Sequence, residues 1–268
     1  MKTRFRNLNL LAVATLVIAV AGIVTVVFAA EQKQARVTEV IRDVHLLAKQ
    51  SARSAVVNDT VHEGTAVRTG TDSRAELMFT DQTLTRLGAN TVFSFGAGAR
   101  TYDLGSGAIL MTAPPQAGTV KISTAVATCA ISGFVGIWEA HKNNWNKVFV
   151  FEGDSYVALK KNPTDRRRMH SQQFLVFRAD ANVLPQPQDF SVCGVINNGL
   201  LINGFKNPLP SMPLLIAECE KEKSSPGKSG LIDPTSQNLI DQSVNARPSA
   251  TPPPARPSPD GDLLRTRP

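Results

Sequence analysis

Between residues 37 and 159 the chain is cut into short runs of β-type residues by Gly, Asp and Asn at close intervals. In residues 74–79, Ala75, Leu77 and Phe79 fall on one face and the charged residues mainly on the other, the period of a half-buried strand. Asp81-Gln82 predicts a turn before residues 83–87. Residues 92–95 end at Gly96 and Gly98, residues 108–111 follow Gly105 and Gly107, and Val120-Lys121-Ile122 alternates again. Residues 134–140 and 147–151 flank Asn143-Asn144, a predicted reversal, and residues 156–159 follow Gly153. Residues 148–151 are apolar on both faces and predict a central strand. With no βαβ rhythm, this pattern predicts a mainly β domain, a compact sandwich or roll of short strands. Its expected core includes Leu77, Phe79, Ile122, Val148 and Val150.

The flanks read differently. Lys2, Arg4 and Arg6 precede residues 8–30, which carry no charge. This is a signal peptide cleaved after Ala29 or Ala30, or an uncleaved anchor whose N-terminal segment contacts the membrane. Both alternatives export the body to the periplasm or cell envelope. The net charge of +7 falls to +4 without those three residues. The remaining basic cluster, Lys160, Lys161 and Arg166 to Arg168, reads as a solvated loop rather than a nucleic-acid face. The β domain is expected over residues 37–160 and a C-terminal extension with helices over 161–223. In that extension residues 163–168 read as a loop and 173–178 as a strand. Asp189 would cap a helix over 190–201 stopped by Asn203-Gly204, and Pro213 would open another through Lys223. Beyond residue 224 the chain has no aromatic residue and nine of its seventeen prolines, so a disordered tail is expected.

Local signatures of catalysis do not survive inspection. Ser106 lacks the spacing of a nucleophile elbow, and Gly227-Lys228-Ser229 lacks the first glycine of a P-loop. His45, His62, His141 and His170 are scattered singly. Cys129, Cys193 and Cys219 have no CxxC pair and no histidine at zinc spacing, so neither a metal nor another cofactor is expected. One disulfide, most simply Cys193 to Cys219, or three buried apolar thiols are the alternatives.

The sequence Glu63-Gly64-Thr65-Ala66-Val67-Arg68-Thr69-Gly70, then Ser73 to Asp81, resembles the opening of a FecR domain. Leu84, Leu87 and Asn90-Thr91 resemble its next elements. Leu104 to Gly107, Val120 to Thr124, Ile131-Ser132-Gly133 and Val148 to Gly153 resemble the later ones. Gly64, Gly70, Asp81, Gly107, Gly133 and Gly153 are the family-like structural positions. Gln82 and Phe134 depart from the usual Gly and Thr.

The resemblance implies a non-catalytic protein-interaction or sensory module of the bacterial envelope, with a membrane or outer-membrane receptor protein as partner. Its best-known members hold a sigma factor through a cytoplasmic segment, whereas only residues 1–7 precede the apolar run here, so that role is not expected. The alternative on the same scaffold is a structural or glycan-binding protein, which would expose rings from Trp138, Trp145 and Tyr102.

Overall fold

The computed structural model describes residues 34–48, 51–96, 100–114 and 117–224. The expected export signal or anchor and the expected tail lie outside these residues, except Ser224, which closes the last helix. No described helix is long and apolar enough to cross a membrane.

The chain is mostly strand. Eight short strands come first: β1 (Gln34–Ile41), β2 (Val44–Ala48), β3 (Ser51–Ser54), β4 (Thr60–His62), β5 (Ala66–Thr69), β6 (Arg74–Phe79), β7 (Leu84–Leu87) and β8 (Val92–Phe95). Three long ones, β9 (Thr101–Ala113), β11 (Ala127–Ala140) and β12 (Trp145–Leu159), frame β10 (Thr119–Ser123). Then come β13 (Asn162–Met169), β14 (Gln173–Arg178) and β15 (Gln188–Asp189). Among the described residues all fifteen join one sheet, whose spine runs β15-β14-β12-β11-β10-β9-β7-β6-β1-β4. It branches to β13, and through β8 and β5 to β2 and β3, so it folds over itself as a sandwich or roll does.

The long strands correct the expectation that glycines divide this region into short runs. Gly107, Gly133 and Gly153 lie inside β9, β11 and β12. At Gly107 (φ +87°) β9 leaves β8 and joins β11 and β7, and at Gly153 (φ +96°) β12 passes from β14 to β13. In β11 the register with β12 slips between Ser132 and Val135. These are bends that let one strand serve two parts of a folded sheet. Gly107 has no room for a side chain, since a Cβ there would lie 2.3 Å from Thr91 Oγ1 and 2.4 Å from Thr91 Cα. Gly107→Ala is therefore expected to cost about 2–4 kcal/mol in urea denaturation, from left-handed strain plus overpacking. Gly64 (φ +74°) faces open space, and Gly64→Ala should cost only the strain, about 1–2 kcal/mol.

Two apolar layers explain the burial. The inner one holds Leu77, Phe79, Ile122, Val148 and Val150, all buried as expected. The outer one lies on the opposite face of the central strands, where Leu84, Leu110, Ile137, Phe149, Phe151 and Phe174 meet Phe190, Val192, Val195 and Leu215. Residues 148–151 are buried on both faces because they contribute to both layers.

The outer layer is capped by α1 (Val192–Asn198), α2 (Leu200–Asn203) and α3 (Met212–Ser224). The cap of α1 is Ser191, whose Oγ accepts from Gly194 N at 2.9 Å, whereas Asp189 belongs to β15. The single helix expected over 190–201 breaks at Gly199, which takes an extended conformation. Residues 163–168, read from sequence as a loop, lie within β13 and pair with β12. Pro163 and the charges of β13 suit a strand at a sheet edge, where one side needs no ladder partner.

Candidate interaction surface

The family-like positions do not converge on a site. Gly64 turns the chain between β4 and β5, and its N–H donates to Phe95 O at 2.9 Å. Gly70 sits where a Cβ would meet the Asp43 carboxylate, and its carbonyl accepts from Asn90 N. Asp81 organises its own turn by accepting from Thr83 N (3.0 Å) and Thr83 Oγ1 (3.1 Å), and it pairs with Arg100 at 2.7 Å. Next to it Gln82 holds φ +68°, the left-handed conformation that a glycine takes freely. These residues shape strands and turns.

The buried polar groups also serve the framework. Glu76, expected on the outward face of β6, is buried, because Arg86 of β7 lies against it at 2.8 Å and is itself fully buried. Thr38 Oγ1 donates to the same carboxylate at 2.8 Å. Cys193 and Cys219 form a disulfide that ties α1 to α3. Cys129 is free, and burial pushes its thiol up to about 11. A thiol reagent is thus expected to find no reactive sulfur in the native protein and one after unfolding without reductant. Labelling of Cys129 before unfolding would contradict the packing around β11. Among the described residues no group of three His, Cys, Asp or Glu is placed to hold a metal ion. Tyr102, Trp138 and Trp145 are buried, so the ring platform required by the glycan alternative does not form from them.

One outward face stands apart. In register across four strands lie Lys121 of β10, Ala130 of β11, Tyr156 of β12 and Arg168 of β13. Beside this row runs a second, Asp103, Ser123, Thr128, Ala158 and Arg166. The floor is small side chains, and the Tyr156 ring stands 43% exposed above it. The Arg166 and Arg168 guanidinium carbons lie 5.8 and 6.0 Å from the ring centroid, within cation–π range. Asp154 accepts from Arg168 (3.3 Å) and pairs with His170 (2.8 Å), and those partners hold its carboxyl below the usual aspartate value. Arg166, Arg167 and Arg168 are consecutive arginines after Pro163, so no two-residue alternation in the sequence marks this face.

Residues 65–154 match the family model described as FecR protein. The chain carries a FecR-like domain. It begins just before β5 and ends within β12, so Lys121 and Ala130 belong to it while Tyr156 and β13 follow it directly. The helices that cap the outer layer also lie beyond it, and Arg86 inside the FecR-like domain binds the carbonyls of Leu201 and Ile202 in α2. Two crystal structures of a candidate anti-sigma factor from Parabacteroides distasonis are similar at 13% and 12% identity, each with a TM-score of 0.42. The likeness covers 50% of this chain and 65% and 64% of theirs, less than two thirds of either neighbour, and is too slight to carry an argument. No curated protein matches the chain.

Proposed function

We propose that the chain is an exported, non-catalytic sensory or regulatory module of the bacterial envelope that works by binding another envelope protein. The FecR match over residues 65–154 carries this reading. Its support in the fold is the use of the buried ionisable groups: Glu76 pairs with Arg86, and Lys147 pairs with Glu139 and lies over the Trp145 and Phe149 rings. Among the described residues the patterned face around Tyr156 is by contrast exposed. Residues 37–160 form the sensing body in this reading, the helices to residue 223 brace it, and residues 1–30 direct it across the inner membrane.

Export is tested by fusing to the C-terminus a reporter enzyme that is active only outside the cytoplasm. The fusion should be active, and sequencing the mature N-terminus should separate cleavage near Ala29 or Ala30 from anchoring. Activity only with a cytoplasmic reporter would overturn the localisation and, with it, the proposed partner class.

A further inference from the structure

The face around Tyr156 holds cations that the fold does not use. Among the described residues, neither Lys121 nor Arg166 has a carboxylate within ion-pair distance, whereas the buried cations Arg86 and Lys147 both do. Lys121, Tyr156 and Arg168 occupy one row of laterally paired positions, with Ala130 between the first two. Adjacent strands lie about 4.8 Å apart, so the cations at the ends of this row are separated by about 14 Å at the backbone. In an extended chain, side chains four residues apart lie about 13 Å apart on one face. A guanidinium resting on a ring still has N–H donors to offer a carboxylate, and such charge-assisted bonds are the stronger kind.

Resting on the binding role proposed above, we propose that this face docks an acidic, extended segment of the partner protein. Its carboxylates, four residues apart, meet Lys121 and Arg168, and Arg166 takes a third beside them. The Tyr156 ring packs against the stem of the residue between. Asp103 and Asp154 sit among the cations on this face. That mixed pattern fits a segment of defined sequence better than a uniformly anionic bilayer. Charge complementarity sets the orientation and speeds encounter, and it weakens with salt.

The test uses the full-length chain in detergent micelles and labelled synthetic dodecapeptides, one alternating Glu with Thr and one alternating Gln with Thr. The Glu peptide is expected to bind at least about tenfold more tightly at low salt and to lose most of that advantage at high salt. Lys121→Glu with Arg166→Glu should reduce its binding at least about tenfold, with the melting temperature unchanged because both side chains are exposed. Arg166→Lys should retain most of it. Vesicles rich in phosphatidylglycerol form the second arm.

Equal binding of the two peptides, indifference to the charge reversals, or retention by vesicles alone would each overturn the proposal. Failure of the underlying reading looks different. With a photo-crosslinker placed on the exported face in intact cells, no envelope protein would be captured at any position. Capture at position 156 that is indifferent to the charge reversals sinks the acidic segment and leaves the binding role standing.

Discussion

Arg86→Ala is expected to lower stability by about 3–5 kcal/mol, measured by urea denaturation, because it breaks a buried ion pair and strands the surviving charge. Arg86 is fully buried, and each of its three guanidinium nitrogens donates to an acceptor. Nε donates to Glu76 Oε2 at 2.8 Å, Nη1 to the carbonyls of Leu201 and Ile202 at 3.2 and 2.9 Å, and Nη2 to Asn207 O. Its guanidinium carbon lies 4.3 Å from the Phe205 ring centroid. One side chain of the FecR-like domain thus gathers the end of α2 and the segment after it. Truncation would leave Glu76 buried with Thr38 as its remaining side-chain donor, and three carbonyls without this donor. Arg42 pairs with Asp72 in solvent, so Arg42→Ala should change stability by less than about 1 kcal/mol. Arg86→Met combined with Glu76→Met should recover part of the loss, since no buried charge remains. Equal losses for the single and the double change would refute this electrostatic explanation.

Opening the Cys193–Cys219 disulfide should cost about 3.5 kcal/mol, the loop-closure value for a sequence separation of 26 residues. For a domain of this size that corresponds to a fall of roughly 10 °C in melting temperature. The bond holds α1 against α3, and polar contacts reinforce it. Ser191 Oγ donates to Glu222 Oε1 at 2.6 Å, Cys193 N donates to Glu222 Oε2 at 3.2 Å, and Gln172 Nε2 donates to Glu218 Oε2 at 2.6 Å. Melting Cys193→Ala/Cys219→Ala beside the parent protein, with and without dithiothreitol, separates the bond from side effects of the reductant. The parent should become less stable in reductant and the variant should not respond. An unchanged parent would mean that the helical layer does not depend on the crosslink.

How much of this was legible in the sequence follows from where each cause resides. Alternation in Arg74 to Phe79 and the double-sided apolar run Val148 to Phe151 are local consequences of the strand's two-residue period, and both strands formed where that period placed them. The role of glycine was not local. Gly107 and Gly153 look like turn residues, but each bends a long strand at the point where it changes partners, which depends on strands elsewhere in the sheet. Glu76 reads as an outward charge because the segment that covers its partner Arg86, residues 201–207, lies more than a hundred positions away.

The surface followed the same rule. Its basic residues were visible as a cluster, but a loop was inferred because Pro163 and consecutive charges suppress the usual strand signal. The exposed side of Tyr156 became apparent only from the register of β11, β12 and β13. Trp138 and Trp145, the more conspicuous rings, pack inward instead.

The most direct measurement is site-specific photo-crosslinking of the full-length chain in its own intact cells. One crosslinker replaces Tyr156, and another replaces Val183, which is more exposed (63% against 43%) but lies on a different segment. The result expected is an adduct of one discrete mass from position 156, containing one envelope protein by mass spectrometry and absent at position 183. Identical adducts at both positions, or none from the whole exported surface, would contradict a binding module that works through this face.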